Sequence, residues 1–384
     1  MKVSDDIAFV GVNDHRIDLF EGQYDVREIG MSYNSYVILD QKVAVMDSVD
    51  AAFRDEWFAN LDQVLGNRKP DYLVVHHMEP DHSANIAAFM DRYPEAQVVS
   101  SAQSFKMMQA YFGVDYSDRG VVVKQGSTLK LGKHTLSFVA APQVHWPEVM
   151  FSYDETDKVL FSADAFGKFG ALDVEDDWVT NARSYYFGIV GKFGKNVQMA
   201  LSKVAGCYVK AICPLHGPVL TGDLSRYLRL YDTWSSYRPE ESGVTLAYTS
   251  VYGHTKEAVR ELEAKLRDGG AKVAAFDLAR DDMAQALASA FRYDRLVLAT
   301  TTYANSYFPF MHTFVTDLVE HNYQNRTVGM IENGSWMPVA AKQMREALEG
   351  LPNIRFARNV VTLKGALSDD SRGQLDALAK ELLA

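Results

Sequence analysis

Through about the first 240 residues, β-rich apolar runs come in pairs split by short polar turns: 34–39 and 42–46 around Asp40-Gln41, 129–131 and 135–139 around Gly132-Lys133, 150–153 and 160–162 around 154–158. Each pair predicts a hairpin. Apolar residues at three- and four-residue spacing over 52–65 and 195–204, closed by Gly66-Asn67 and Gly206, predict helices. Hairpins mixed with covering helices imply two sheets packed together with helices outside. From Trp234 to Gly243 the pattern turns polar and turn-rich, which predicts domains over 1–242 and 243–384. Beyond it the beat is regular. Strands at 244–248, 273–276, 296–300, 327–331 and 356–363 alternate with helices at 256–268, 281–291, 307–320, 337–348 and 368–383. This α/β alternation predicts a five-stranded doubly wound parallel sheet.

A chain of 384 residues exceeds one ordinary core, in keeping with two domains. No run approaches the ~18 apolar residues of a membrane helix, and residues 1–6 carry no apolar signal core, so no membrane association and a cytoplasmic location are expected. The net charge of -11 argues against nucleic acid as a partner, which would demand a basic patch. Cys207 and Cys213 are too few for a disulfide framework or a zinc or iron-sulfur site, and both are expected as buried small hydrophobes.

The candidate chemistry begins where the apolar run 72–75 ends. His77, Glu79, Asp81 and His82 crowd four metal-capable side chains into six residues, and Pro80 biases Glu79 to an extended conformation within a loop. One ion rarely needs so many neighbouring donors; two ions sharing a carboxylate would. Three later positions offer the rest: His145 in Gln143-Val144-His145-Trp146-Pro147, Asp164 in Ser162-Ala163-Asp164-Ala165, and His216 in Leu215-His216-Gly217-Pro218. Any one alone is more often structural. The whole order His-x-Glu-x-Asp-His, His, Asp, His is far more specific. His76 should point away from His77, since strand side chains alternate faces, and His15 and His134 read as structural.

In the second half, Thr249, Ser250, Tyr252, Gly253, His254 and Thr255 lie between a strand and a helix, where hydroxyls and backbone N–H groups cradle an anion. No Gly-x-Gly-x-x-Gly fingerprint is present, which disfavours a dinucleotide and favours a flavodoxin-like site for one phosphate. Two further loops lie beyond strand ends: Thr302, Tyr303, Ala304 and Asn305 in one, Asn333, Gly334, Ser335 and Trp336 in the other. Trp336 or Tyr303 could cover an isoalloxazine face and Asn305 bond its polar edge, so FMN is the expected ligand.

The metal order resembles the metallo-β-lactamase fold, whose hydrolases carry His-x-His-x-Asp-His before a later His, Asp and His. Glu79 departs from that pattern. Together with the doubly wound second domain, the departure resembles the flavodiiron proteins, or A-type flavoproteins, over essentially the whole chain. The resemblance implies an αββα sandwich followed by a flavodoxin-like domain. It implies two Fe ions on His77, Glu79, Asp81, His145, Asp164 and His216, with Asp164 bridging and His82 at a position where ligation varies. It further implies electron flow from FMN to a diiron site reducing O2 to water and/or NO to N2O, in a head-to-tail homodimer or dimer of dimers, with rubredoxin or a reduced deazaflavin as donor. A carboxylate in place of imidazole makes a harder, more anionic sphere that suits iron, and no Gly-x-Ser-x-Gly nucleophile is evident.

Two alternatives stay open from sequence. One is a binuclear metal hydrolase of the metallo-β-lactamase type fused to a flavodoxin; the other is an NO or O2 redox sensor without turnover. The family's usual Pro-Thr-Tyr-Asn-Asn is replaced here by Thr301-Thr302-Tyr303-Ala304-Asn305, and Met337-Pro338 stand where small residues are usual, which bears on the flavin's potential and tightness. Tyr33 and Tyr36 are expected to orient the imidazoles. Gas preference is expected to depend on groups near Trp146 and Tyr24.

Overall fold

The paired apolar runs fold back on themselves. Tyr36–Leu39 lies antiparallel to Val43–Met46 with Ile38 opposite Ala44, and Thr135–Ala140 lies between Thr128–Lys130 and Met150–Asp154, antiparallel to both. The computed structural model describes residues 1–384. They divide into two compact units, Met1–Tyr231 and Asp232–Ala384. The division falls upstream of the expected 242/243 junction for a physical reason: the Glu240 N–H donates to the Arg292 carbonyl and the Tyr237 carbonyl accepts from Arg326, which draws the segment before the strand Glu241–Tyr248 into the second unit.

The first unit holds two six-stranded sheets. One runs Ile7–Phe9, Tyr36–Leu39, Val43–Met46, Tyr72–Val74, Gln97–Ser101, Gly120–Val123; the other runs from Thr128–Lys130 through Val159–Phe161 and Ala211–Cys213 to Leu220–Thr221. Their inner faces meet in one core of Tyr36, Ile38, Met46, Val74 and Val99 against Phe138, Met150, Phe161 and Cys213. Each such side chain contributes roughly 1.5–3 kcal/mol by leaving water. Helices flank them, with starts and stops written locally. Asp50 caps the turn into Arg54–Leu65, which ends at Gly66 with φ 57°; Ser101 caps Ala102–Phe112, which ends at Gly113 with φ 65°. Cys213 is buried as expected, whereas Cys207, in the polar turn after Gly194–Val204, is only half-buried.

The second unit has parallel strands in the order Val273–Asp277, Glu241–Tyr248, Tyr293–Tyr303, Thr327–Asn333, Arg355–Leu363. That is the flavodoxin-like order, in which the first strand lies second in the sheet. Helices begin two or three residues later than the pattern predicts where prolines intervene: Pro309 opens Pro309–Glu320 at its first position, and Pro338 leaves Ala340–Leu348 to start beyond the loop. No helix is long and apolar enough to cross a membrane.

Arg326 ties this unit's lower edge together. Only 2% exposed, it donates to the carbonyls of Tyr293 at 2.7 Å, Tyr237 at 2.7 Å and Gln324 at 2.9 Å, and also to that of Phe291. A lysine has three donors on one atom and cannot reproduce that fork. Arg326→Lys is expected to destabilise the second unit by roughly 2–4 kcal/mol through carbonyls left unpaired in the interior. A denaturant melt of the full chain with an unmoved midpoint would contradict this.

Candidate functional site

Four of the seven candidate metal-binding side chains follow the C-terminal end of a strand. Tyr72–Val74 feeds His77, Thr135–Ala140 feeds His145, Val159–Phe161 feeds Asp164, and Ala211–Cys213, parallel to its neighbour, feeds His216. Glu79 is extended, with φ -59° and ψ 139°. The next residues do not form the expected loop. Pro80–Ser83 is a short helical turn with proline at its start, where a missing N–H costs nothing. That turn carries Asp81 and His82 together to one side, and Ser48 pins it by donating its N–H and hydroxyl to the His82 carbonyl.

The seven predicted residues converge in two groups. His77 Nε2 lies 3.2 Å from Glu79 Oε2 and 3.2 Å from Asp164 Oδ2, and His145 Nε2 lies 3.0 Å and 3.2 Å from the same two oxygens. In the second group His82 Nε2 lies 3.3 Å from Asp81 Oδ2, 3.3 Å from Asp164 Oδ1 and 3.0 Å from His216 Nε2, while His216 Nε2 is 3.2 Å from Asp81 Oδ2. Asp164 thus offers one oxygen to each group. Both its oxygens and both of Asp81's are buried without a hydrogen-bond partner, although imidazole nitrogens stand close by. Around Asp164 and Asp81 the carboxylate oxygens and imidazole nitrogens therefore face shared points rather than pairing, whereas Glu79 Oε2 is within hydrogen-bond distance of His77 and His145. Ligand atoms ~2.1 Å from one ion and at roughly right angles to each other lie about 3.0 Å apart, which is the spacing seen here. The donor set, imidazole and carboxylate without thiolate, fits iron or another first-row divalent ion.

The expected orienting tyrosines do not touch the imidazoles through hydrogen bonds. Tyr33 donates to Asp14 at 3.4 Å and Tyr36 to the Pro214 carbonyl at 2.8 Å, because their hydroxyls end at neighbouring chain segments. Instead His77 Nδ1 is held 2.8 Å from Glu148 Oε1, and His216 Nδ1 donates to the Ser32 carbonyl at 2.7 Å. Asn34 fastens the same loop by donating to the carbonyls of Pro214 and Gly217. Sequence does not single out Glu148; the one signal for it is an acidic residue next to the apolar run Val149-Met150-Phe151. His76 turns away as expected, to Asp47 at 2.5 Å and Ser152 at 2.7 Å. His134 is buried beside Asp154, whereas His15 pairs with Asp173 at the surface.

The electrostatics are those of a dry, densely charged pocket. Burial pushes the Glu79 carboxyl up, but hydrogen bonds from His145 and His77 outweigh it and hold the group well below the usual carboxylate range. Asp164 is likewise pulled far down against burial, first by the charge of His77 and then by contacts with His145, His77 and His82. Burial opposes protonation of His145, yet Asp164 and Glu79 raise it to about 9. His77 and His216 are raised against burial too, the first chiefly by Asp164 and the second by Asp81. Glu21 also escapes the sequence pattern. It tips the hairpin of Leu19–Phe20 and Tyr24–Asp25, and though exposed as a residue, the crowding of its carboxyl end and the Glu79 charge push it up to about 7.

The second unit carries a cavity of about 400 Å³ at the C-terminal ends of its strands. Ser250, Tyr252, His254, Thr255, Thr302, Tyr303, Ala304, Asn305 and the run 333–336 line it, joined by Val251, Thr301, Met337 and Gly365. Ser250 Oγ accepts from the N–H groups of Gly253 and Lys256 at the start of the helix His254–Asp268, and Gly253, at φ 94°, turns the chain there. Of the expected residues, Thr249 and Gly253 do not line it: the Thr249 hydroxyl is buried against that of Thr300 at 2.6 Å, and Gly253 only turns the chain. Tyr252 and Trp336 are each 90% exposed, so their ring faces are free to lie along a flat ligand.

A family model described as ODP family beta lactamase matches residues 31–217. The nitric oxide reductase of Moorella thermoacetica is 30% identical over 359 residues, covering 91% of this chain and 89% of that protein. The rubredoxin-oxygen oxidoreductase of Megalodesulfovibrio gigas is 27% identical over 362 residues, covering 91% and 89%. Among solved structures, the rubredoxin oxygen:oxidoreductase of Desulfovibrio gigas superposes with a TM-score of 0.93 at 25% identity, over 100% of this chain and 97% of that one. The flavodiiron protein of Giardia intestinalis shares the fold at a TM-score of 0.92 and 24% identity, over 99% and 96%. With a relative this similar along nearly its whole length, and the paired imidazole–carboxylate groups in the first unit, the chain belongs to the flavodiiron protein family.

Proposed function

We propose that the first unit holds two iron ions on His77, Glu79, Asp81, His82, His145, Asp164 and His216, that the second holds FMN, and that the chain reduces O2 to water, NO to N2O, or both. The observation that carries this reading is Asp164, fully buried, with one unpaired oxygen turned to each group of imidazoles. Iron held there would supply the electrons that reduce a diatomic gas, and FMN held in the second unit would relay them from an external donor. A rubredoxin-type donor or a reduced deazaflavin suits that role, the first supported by the name of the Megalodesulfovibrio relative. We place the protein in the cytoplasm as a head-to-tail dimer or dimer of dimers, an arrangement that would bring one subunit's flavin beside its partner's irons.

The chain's own residues prepare the pocket for a small uncharged substrate. Rings of Phe20, Tyr185 and Tyr33 stand 5.3, 5.5 and 6.0 Å from the His216 ring and exclude water from that side. Tyr185, buried and facing Asp164, Glu79 and Asp81, has its hydroxyl pushed far up and keeps its proton. Glu79 adds an anionic donor where hydrolases of this fold carry a neutral one, which favours the oxidised metal. The relatives' names support redox turnover over hydrolysis or sensing.

Assays with NO or with O2 as the one gas added to degassed buffer, side by side on iron-replete, FMN-loaded chain with reduced rubredoxin, test the function; consumption of neither gas refutes it. Asp164→Ala is expected to abolish paired iron occupancy and gas reduction while FMN remains bound, measurable by metal analysis and the flavin spectrum. A variant that still reduced either gas would exclude Asp164 as the shared ligand.

Iron binding should also release protons. In the metal-free chain the raised imidazoles contribute stability that is complete below the ordinary histidine value of 6.5 and lost as pH rises through about 9 for His145. Metal-free protein should therefore melt progressively lower between those pH values, while iron affinity rises over the same span as the competing protons leave. Calorimetric titration at pH 7 in buffers of different ionisation enthalpy counts the protons, and a heat independent of buffer would rule this out.

A further inference from the structure

We propose that Glu148 is a positioning residue that makes the two metal positions unequal, so that the ion among His77, Glu79, His145 and Asp164 is held more tightly than the ion among Asp81, His82, His216 and Asp164. The inference rests on the two-ion reading above.

Glu148 has no exposed side-chain surface. Its Oε1 lies 2.8 Å from His77 Nδ1 and accepts the Met78 N–H at 2.9 Å, while Oε2 is buried with no hydrogen-bond partner. With Oε1 already accepting from the backbone, His77 donates through Nδ1 and its Nε2 lone pair faces Glu79 and Asp164. A carboxylate behind an imidazole draws on the Nδ1 proton and makes Nε2 a stronger donor to a metal. The other group has no such anion. His216 Nδ1 donates to a neutral carbonyl, that of Ser32, and His82 Nδ1 has no partner at all.

Glu148 is also half-satisfied in a dry interior, an arrangement that is costly unless a positive charge lies nearby. A cation held by His77 through Nε2 would supply that charge. Glu148 in turn adds one negative charge to the surroundings of that position and none to the other's immediate ligands. It should therefore raise affinity there and favour the oxidised ion there first.

The test is anaerobic titration of Fe2+ into the metal-free, FMN-bound full chain, followed by calorimetry, with the diiron midpoint potentials measured separately. Wild type should bind in a tight and a weak step. His216→Ala should keep the tight step and His145→Ala should lose it. Glu148→Gln retains an oxygen able to accept from His77 and Met78, so a purely structural role would leave binding and potential unmoved. Instead it should weaken the tight step about 10–100-fold, spare the weak one and raise the higher-affinity ion's potential, with Glu148→Asp recovering part of both. Equal steps in wild type, a tight step lost in His216→Ala, or a Glu148→Gln isotherm superimposing on wild type would each overturn the proposal. Where Glu148→Gln does not fold, the histidine pair can still overturn the proposal by placing the tight step in the other group. A wild-type chain that binds no Fe2+ would instead sink the two-ion reading itself.

Discussion

Three carboxylates and four imidazoles share one water-poor pocket in the first unit, and the fold around them has to make that tolerable. Charge removed from water costs several kcal/mol per ion after relaxation. The cost is offset only where opposite charge stands within a few ångströms in fixed geometry. Asp164 is the centre of that arrangement, since each of its oxygens answers a different set of imidazoles. Strand ends are suited to hold it: sheet hydrogen bonding fixes the backbone up to Phe161 and Cys213, so the loops beyond them have little freedom left. The two-sheet core therefore serves the site by making its loops short and its ligands rigid.

Much of this was legible in the chain. The spacing from His77 to His82 compresses four donors behind one strand, and His145, Asp164 and His216 each sit beside glycine, proline or an apolar run, which marks strand ends. Glu148 was not legible, because a buried carboxylate next to an apolar run has no periodicity that separates it from a surface acid. Glu21 was hidden for another reason: it reaches the pocket from a hairpin tip far away in sequence, and only tertiary packing brings its carboxyl to Glu79. Pro80 reads in sequence as a strand breaker, which it is, but its other property, a φ suited to the first turn of a helix, decides the local structure.

The second unit shows the same division. Alternating strands and helices set the rhythm of the sheet, and the ligand cavity lies where such sheets place it, beyond the carboxyl ends of the strands. Its fine structure was less accessible. The strand Tyr293–Tyr303 extends past the run 296–300 at both ends, and polar Thr301 and Thr302 continue it towards the cavity. It then reverses through Ala304 and Asn305, with φ 48° and 60°, into Ser306–Tyr307. Asparagine adopts that left-handed turn readily, whereas alanine does so at a cost of roughly 1 kcal/mol. Ala304 thus strains a loop that borders the cavity.

The same fold supports hydrolysis and electron transfer, so the choice between them must lie in the donor set and its charge. Glu79, Asp81, Asp164 and Glu148 place four negative charges around two positions. Two divalent ions held there would neutralise them, and without metal the protons on His77, His145 and His216 do part of the same work. Oxidation of an ion held there would add positive charge to a pocket with little water to screen it, and each carboxylate would lower the cost of that step. With histidine at position 79 the cluster would be one anion poorer and oxidation correspondingly harder. A hydrolytic ion never changes charge and gains nothing from the extra anion, so the carboxylate at Glu79, with Glu148 behind His77 at 2.8 Å, fits the proposal of a metal that must give up electrons better than it fits hydrolysis.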